Sequence, residues 1–341
     1  MGSGEGKSQN WKDIFPQRYF KKIMNNPLVS IIICTHNRAG MIEETISSVT
    51  AQQYDPVEII VVDDGSTDNT RQVLAGYKGK IRYYRQENKG LSAALNTACK
   101  NLAKGQYIAM NDDDDLMLPE RISRLYDALR LFPRAVLAVG DAEMMDAEGN
   151  RTGKRINSGI QLDKDGPALM EDGYKAIFWP LIRPTTCATL FRRVDAERAG
   201  WFDERFRRST DTDFFGRLAL LGPVVYVPRV VACFRRGHES MWSNNIQNNI
   251  LCEYNNFMLY EKHLALLNGG RRLMKKKLQG RMLKTLKALA FLEHIAGEKQ
   301  MRIGSKFMNL KNGLSLLDMK NRISYEWYVR IKLPLRNAIK G

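Results

Sequence analysis

The sequence predicts an α/β domain built around a mostly parallel central sheet, followed by a helical appendage rich in basic residues. Two observations predict the domain: apolar, β-branched runs alternate with segments of helical spacing, and the connections between them are short. A third observation predicts the appendage, because leucines and methionines recur there at helical spacing between lysines and arginines. We therefore divide the 341 residues into an N-terminal tail (1–26), the α/β domain (27–245) and a helical region (246–341).

The first part of the domain supplies four predicted strands. The run "LVSIIICT" (Leu28–Thr35) is too continuously apolar for a half-exposed strand, so it predicts a strand buried on both faces. The segment "RAGMIEETISSVTAQQ" has helical spacing, and "VEIIVVDD" after it predicts a second buried strand. A third strand is predicted at "IRYYRQ" (81–86), a helix at "LSAALNTACKNLAK" and a fourth strand at "QYIAM".

Polar segments follow three of these strands at the point where each strand ends: "CTHNR", "DDGS" and "NDDDD". In open parallel sheets, ligands bind beyond the carboxyl ends of the strands, which lie along one edge. The sequence therefore predicts that the three segments meet and form the functional site.

Composition and cysteine content exclude several other classes of protein. Five widely spaced cysteines without a CxxC pair favour neither a disulfide framework nor a zinc cluster, and they favour a reducing, cytosolic setting. No run approaches the roughly 18 apolar residues of a membrane-spanning helix, and residues 1–26 lack the apolar core of a secretory signal. We expect a cytoplasmic protein, and peripheral attachment at the inner face of the membrane is one of the open interpretations of its basic helical region.

The formal net charge of +16 is located in the terminal segments. Residues 27–245 carry 29 basic and 29 acidic residues, whereas residues 246–341 carry 19 basic and 6 acidic residues. Three interpretations of the helical region are open: packing on the domain, attachment to an anionic membrane surface, and nucleic-acid binding. Lys275–Lys277 beside apolar neighbours and the mixed "YEWYVRIKLPLR" are typical of interfacial segments. No nucleic-acid motif accompanies the charge, so nucleic acid is the least favoured partner.

The segments after the first two strands indicate the kind of ligand. The chain has neither the GxGxxG of a dinucleotide fold nor a P-loop, so the pyrophosphate is not held by a glycine turn. Polar side chains stand there instead, at Thr35, His36 and Arg38, and Asp64 ends the second strand. An aspartate can accept a hydrogen bond from a pyrimidine N–H, and an imidazole can stack on the ring. The alternative is that Asp64, Ser66 and Thr67 merely cap the following helix.

The four consecutive aspartates, Asp112–Asp115, predict a site for a hard cation. An EF-hand is excluded because Met117 occupies the sixth loop position, where glycine is required. Mn²⁺ or Mg²⁺ held by one or two carboxylates and by substrate phosphates fits this pattern. The cation would relieve the repulsion between the carboxylates. The alternative is a structural turn whose acids cap the next helix.

Three segments together carry a resemblance to a known family: "VSIIICTHNRAGMIEETISSVTAQQYDPVEIIVVDDGSTDNT", "QENKGLSAALNTA" and "GQYIAMNDDDDLMLPERI". From about Leu28 to Asn245 the chain resembles the inverting family 2 glycosyltransferases, which have the GT-A fold. The resemblance implies nucleobase contacts for a set of residues at the first two strand ends: Thr35, His36, Arg38 and Asp64. Aligned through Pro119, it implies ribose binding by Asp112, a variable position beside the nucleotide at Asp113, and metal binding by Asp114.

Two later segments resemble the family's remaining signatures. In "GWFDERFRRSTDTDFFGRLALLG", Thr210 stands where the family has glutamate, and Asp211 keeps the aspartate that serves as general base. The alternative is that Asp211 and Asp213 are exposed acids at a helix start. In "CFRRGHESMWSNN", the resemblance implies that His238 approaches the metal, while Arg235 or Arg236 offsets phosphate charge.

These observations predict a metal-dependent inverting glycosyltransferase that moves a sugar from a nucleotide-sugar donor, a UDP-sugar, to a hydroxyl of a glycan or lipid-linked acceptor. Two alternatives are a sugar nucleotidyltransferase and a non-catalytic scaffold that binds sugar nucleotides or membranes. The first would show a glycine-rich basic loop after the first strand, which "CTHNRAG" does not supply. The second is motivated by the missing glutamate at Thr210. Residues 142–180 are expected to border the acceptor, with Trp179 as a sugar-stacking surface.

Overall fold

A computed structural model of the protein describes residues 26–160, 166–179, 181–237, 246–267 and 271–295. Within these ranges the chain forms one sheet of ten strands with helices packed around it. The strands are β1 Val29–Thr35, β2 Val57–Asp64, β3 Arg82–Gln86, β4 Tyr107–Asp112, β5 Leu116–Met117, β6 Leu137–Met145, β7 Arg151–Arg155, β8 Ala168–Met170, β9 Thr189–Arg192 and β10 Val224–Arg235. The α-helices are α1 Ile42–Thr50, α2 Thr70–Ala75, α3 Leu91–Asn96, α4 Arg121–Leu131, α5 Gly173–Phe178, α6 Arg193–Ala199, α7 Thr210–Ala219, α8 Ile246–Leu266 and α9 Arg272–Ile295.

The sheet confirms the predicted α/β class. Its strand order is β3-β2-β1-β4-β9-β6-β10-β5, with β7 beside β6 and β8 beside β10. Strands β3, β2, β1 and β4 are parallel, and β9 is antiparallel to both of its neighbours, β4 and β6. Since β10 is parallel to β6, six of the described strands run in one direction, and β9 separates them into groups of four and two.

Strand β1 shows why the continuous apolar runs lie at the centre of the sheet. Every residue of Val29–Thr35 is buried. Because side chains alternate between the two faces of a strand, Ile31 and Ile33 pack into the core on one face, while Ile32 packs into the core on the other. A run that is apolar at every position therefore suits a strand covered on both sides.

Pairing register brings the three polar segments to one edge. Thr35 at the end of β1 lies opposite Asp63 in β2, and Cys34 lies opposite Asp112 in β4. The residues that follow each strand therefore leave the sheet side by side. The helix predicted over "LSAALNTACKNLAK" is α-helical only to Asn96 and continues as a wider π-helical segment, Thr97–Leu102. At this transition the Asn96 amide binds both the N–H and the carbonyl of Phe202.

The described part of the basic helical region packs on the domain. Leu267, Met274 and Leu278 belong to the same buried core as Phe178 and Phe214 of the domain. A smaller core joins α8 to α9 through four residues: Phe257, Met282, Leu286 and Leu289. None of the helices in the described ranges combines the length and the apolarity that a membrane crossing requires.

Candidate active site

The four aspartates form a tight turn after β4, which we call the acidic turn (Asp112–Asp115). Its first three side chains are half-buried, and that of Asp115 is fully buried. The side-chain amide of Asn111 closes the turn by donating to the backbone carbonyls of Asp112 at 2.9 Å and Asp115 at 3.0 Å. The aspartates thus occupy a defined backbone conformation at the carboxyl edge of the sheet.

A buried arginine lies directly beneath this turn. Arg121, at the start of α4, is fully buried and donates to the carbonyls of Met110 at 2.7 Å and Thr189 at 2.9 Å. It also donates to the side-chain oxygen of Asn111 at 3.0 Å. Burial lowers the pKa of Arg121 to about 10, and the aspartates of the turn oppose that change. The guanidinium is therefore charged at neutral pH and compensates part of the turn's negative charge.

A second buried arginine holds the turn from the side. The backbone N–H of Arg235, the last residue of β10, donates to Asp115 Oδ1 at 2.8 Å, and its Nε donates to the Asp114 carbonyl at 2.9 Å. Its two Nη atoms donate to the carbonyl of Ala147 and to the carboxylate of Glu44. The resemblance assigned Arg235 or Arg236 to phosphate charge. In the structure, the Arg235 guanidinium is instead occupied by these protein contacts.

The acidic turn is electrostatically prepared for a cation. Burial, reinforced by the neighbouring aspartates, raises the pKa of Asp112 well above its usual range. The same two causes raise the pKa of Asp113 and of Asp115 to about 7, although Arg38, with Nε 3.6 Å from Asp113 Oδ1, lowers the pKa of Asp113. A divalent cation would replace the protons that these carboxylates otherwise retain.

The donor set fits a cation that is only partly held by protein. Among the described residues, no three His, Cys, Asp or Glu side chains converge as a complete metal cluster. The chemistry of the turn suits Mg²⁺ or Mn²⁺, which bind one or two carboxylates and take their other ligands from phosphates and water. His238, the other predicted ligand, lies outside the described residues.

The loops after β1 and β2 are joined through Asn37, which adopts a left-handed conformation with φ of 54°. Its side-chain oxygen accepts from the Thr67 N–H at 2.7 Å, and its own N–H donates to Ser66 Oγ at 3.0 Å. The exposed imidazole of His36 lies alongside, with Nδ1 2.9 Å from the carbonyl oxygen of Asp64. These bonds fix a polar shelf with an accessible aromatic ring beside the acidic turn.

Asp64 does not cap the helix that follows it. Its buried carboxylate accepts hydrogen bonds from Gln86 Nε2 at 2.7 Å, from the Lys89 N–H at 2.9 Å and from the Gly90 N–H at 2.8 Å. The capping bond to α2 comes from Asp68, which accepts from the first N–H of that helix. The helix-cap alternative is therefore wrong for Asp64. An ionised carboxylate has about four acceptor positions, so one remains for a ligand N–H.

Gly65 permits the sharp turn after Asp64. Its φ of 79° lies in the left-handed region, and a Cβ built there would come within 2.8 Å of the backbone nitrogen of Asn88. Only glycine avoids both the conformational strain and this contact with main chain. The glycine of "DDGS" therefore allows the segment after β3 to close over Asp64.

Asp211 approaches the acidic turn from the start of α7. The preceding Ser209 has a left-handed φ of 58°, which turns the chain sharply into the helix. Burial raises the pKa of Asp211, against the hydrogen bonds that it accepts from Thr212. Its charge in turn contributes to the raised pKa of Asp112. The structure thus brings the predicted base and the predicted metal turn into one electrostatic unit.

Thr210, which stands where the family has glutamate, faces away from this unit. Its side chain is buried, with Oγ1 3.0 Å from Ser92 Oγ and 3.4 Å from the carbonyl oxygen of Phe206. A glutamate side chain in this orientation would place a carboxylate against Ser92. Position 210 therefore serves the packing of α7 on α3 in this protein.

Asp213 is not the exposed acid that one alternative expected. It is fully buried and binds Arg217 at 2.7 Å, Lys262 at 2.9 Å and His263 at 3.2 Å. Burial alone would raise its pKa, but hydrogen bonds from His263 and Arg217 and the charge of Lys262 outweigh it, so its pKa falls to about 2. Since Lys262 and His263 belong to α8, the basic helical region fixes the helix that carries Asp211.

All the described residues among those predicted for the site lie along one edge of the sheet. These are Thr35, His36, Arg38, Asp64, Asp112, Asp113, Asp114 and Asp211. Arg121 is not among the residues predicted for the site. A usable signal is its place on α4, because Arg121 shares the buried stripe of Leu125 and Ala128 at helical spacing.

Loss of the Arg235 side chain should loosen the acidic turn. We expect Arg235→Ala to destabilise the fold by about 1–3 kcal/mol, since it removes the hydrogen bonds to the half-buried carbonyls of Asp114 and Ala147 and the ion pair with Glu44. At about 2–4 °C per kcal/mol, the midpoint of thermal unfolding should fall by several degrees. The adjacent Arg236 is exposed and lies over the ring of Phe234, so Arg236→Ala is the matched control and should lower the midpoint much less. Equal midpoints for Arg235→Ala and wild type would contradict the assigned contacts.

Comparison with known proteins identifies the family to which the sequence is similar. Residues 30–200 match the sequence profile described as Glycosyl transferase family 2. An uncharacterized glycosyltransferase of Rickettsia felis is 31% identical over 227 residues, which cover 65% of this chain and 36% of that protein. The chain therefore spans about a third of the length of this relative.

Two solved structures share the fold. A fragment of S. aureus TarS in complex with UDP-GlcNAc superposes with a TM-score of 0.58 at 17% identity, covering 82% of this chain and 78% of the fragment. The mannosyltransferase PcManGT from Pyrobaculum calidifontis, in complex with GDP-Man and Mn²⁺, superposes with a TM-score of 0.52 at 18% identity, covering 90% of this chain and 86% of that one. At these identities the likeness concerns the fold alone, and it confirms the predicted GT-A architecture.

Proposed function

Because this chain belongs to glycosyl transferase family 2, we propose that it transfers a sugar from a UDP-sugar to a hydroxyl of a glycan or lipid-linked acceptor, with inversion and with dependence on Mn²⁺ or Mg²⁺. That it is a glycosyltransferase follows from the family; the donor, the metal and the stereochemistry are the proposal. One observation carries it: the acidic turn, the polar shelf and Asp211 lie at the carboxyl edge of the same sheet, and the charges of the acidic turn suit a bound cation.

The nucleotide is assigned to the shelf formed by the loops after β1 and β2. We place the base against the exposed His36 ring, with the remaining acceptor position of Asp64 available to a pyrimidine N–H. Thr35 and Arg38 are assigned to the nucleotide next to the base, Arg38 reaches Asp113 of the acidic turn, and Asp112 takes the ribose. The neighbours' ligands, UDP-GlcNAc and GDP-Man, support a nucleotide-sugar donor but leave the base open.

The metal is assigned to Asp114, with His238 as a second ligand outside the described residues. When bound, Mn²⁺ or Mg²⁺ would offset the charge of the leaving diphosphate. The protein's part is to hold the Asp114 backbone in place through Arg235 and to keep the turn compact through Arg121. The Mn²⁺ in the PcManGT complex supports the choice of ion.

Asp211 is assigned as the general base. A sugar hydroxyl is a weak nucleophile, so its proton must pass to a nearby carboxylate as the new bond forms. In the proposed step the acceptor oxygen attacks the anomeric carbon and its proton moves to Asp211. The bond from that carbon to the diphosphate oxygen breaks, and the electron pair leaves with the nucleoside diphosphate. Attack opposite the leaving group inverts the anomeric configuration.

The proposal is tested by screening nucleotide sugars against the full chain with and without Mn²⁺ or Mg²⁺. We expect one donor to raise the unfolding midpoint only when metal is present, and the same donor to support transfer or slow hydrolysis. Metal-independent protection together with turnover would reject the metal assignment. Calorimetric UDP binding without turnover on any acceptor would favour the non-catalytic scaffold instead.

A further inference from the structure

Three large apolar side chains are exposed where α9 meets the end of α5. Trp179 is 38% exposed, Leu181 is 50% exposed and Leu273 is 72% exposed, the highest value for a large apolar residue in the described ranges. We call the surface formed by these three residues with Lys175, Arg272, Lys276 and Lys277 the α5–α9 face. Other exposed apolar residues, such as Leu131 and Val194, lie elsewhere in the fold.

Specific contacts hold the two sides of this face together. Lys277 Nζ lies 3.9 Å from the ring centroid of Trp179. Arg271, just before α9, donates to Asp172 at 3.3 Å and lies over the ring of Tyr174. On α9, Leu273 stands one turn before Lys277, so both side chains project on the same side of the helix. Leu273 is therefore exposed on a helix that is itself packed against the domain.

The charge of the face is positive. Lys175, Arg272 and Lys276 are exposed. The nearest acids along the chain are already paired, Glu171 with Arg134 and Asp172 with Arg271. Basic side chains around exposed leucine and tryptophan match the interfacial region of a bilayer, where apolar groups enter the boundary and ammonium groups reach anionic headgroups.

We infer that the α5–α9 face docks the enzyme on an anionic membrane surface. The inference rests on the proposed function, because a membrane-borne acceptor gives such docking a purpose. The surface goes beyond the basic helical region that the sequence indicated, because three of its seven residues belong to the α/β domain. Single-stranded nucleic acid stacks successive bases on several aromatic side chains, whereas the α5–α9 face has Trp179 as its one aromatic residue, with Lys277 over one side of the ring. That Trp179 also provides a sugar-stacking surface stays a prediction.

The test uses the full chain and two vesicle preparations, phosphatidylcholine alone and phosphatidylcholine mixed with phosphatidylserine. We expect sedimentation with the anionic vesicles only. The double variant Leu273→Glu/Lys276→Glu should lower that partitioning by at least about tenfold, since each basic residue contributes separately. The matched control is Val194→Glu/Lys100→Glu, which makes the same charge change at another exposed site. It should bind as wild type does.

The inference would be overturned if the protein bound both vesicle types equally or if the Leu273/Lys276 variant bound the anionic vesicles as wild type does. It would also be overturned if the protein bound soluble heparin but did not bind vesicles. Donor hydrolysis in solution separates this question from the proposed chemistry, because the double variant should hydrolyse the donor at the wild-type rate. Vesicle binding without any turnover would reject the proposed function and leave the docking surface standing.

Discussion

Asp211→Asn is expected to lower sugar transfer by about 10²–10⁴-fold while leaving the affinity for UDP unchanged. The asparagine side chain keeps the shape of the carboxylate but cannot take a proton from the acceptor. Asp211 stands at the start of α7, whereas the nucleobase is assigned to the polar shelf formed by the loops after β1 and β2. The measurement is kcat for transfer together with the Kd of UDP from calorimetry. Asp127→Asn on α4 is the control for an aspartate outside the site.

The pH dependence of sugar transfer by the wild-type protein gives a second test of Asp211 as the general base. Burial raises the pKa of Asp211, and a base must be unprotonated to act. Transfer is therefore expected to fall as the pH drops through a value above the ordinary aspartate range. If Asp211→Asn retained full transfer activity, the assignment of the base would be wrong.

Asp114→Ala is expected to abolish metal-dependent turnover and to remove the stabilisation that Mn²⁺ gives. A cation at 100 times its Kd should stabilise the wild type by about 2.7 kcal/mol, which appears as a higher unfolding midpoint. The variant also removes the charge with which Asp114 raises the pKa of Asp113 and Asp115. An equal Mn²⁺-induced shift in variant and wild type would reject the assignment.

The affinity for the metal should also depend on pH. Asp113 and Asp115 have pKa values of about 7, so protons compete with the cation near neutrality. The wild-type Kd for Mn²⁺ is therefore expected to fall between pH 6 and pH 8. The Asp127→Ala control should follow the wild-type profile, because this residue is remote from the turn.

The parts of the fold best predicted from the sequence are the central strands, whose composition has one main cause, burial on both faces. The strands β1, β2 and β4 are buried on both faces, so their apolar runs are nearly unbroken and their ends are sharp. Parallel pairing then places whatever follows each run at one edge, which is why "CTHNR", "DDGS" and "NDDDD" could be grouped without coordinates.

The contacts that support the site could not be read in this way. Strand β9 enters the sheet antiparallel between β4 and β6, a long-range pairing with no local signal. Arginines are mostly exposed in proteins, so composition does not indicate that Arg121 and Arg235 are buried and hold the acidic turn through hydrogen bonds. Their role depends on partners as distant as Thr189 and Glu44.

The partners of Asp213 impose an order on the folding of a newly made chain. Arg217 lies in the same helix, but Lys262 and His263 follow about 50 residues later. Until the ribosome has released α8, this carboxylate lacks two of the groups that stabilise it in the interior. The helix that carries Asp211 therefore gains the full set of charged partners for its buried Asp213 only after α8 has been made and has packed against it.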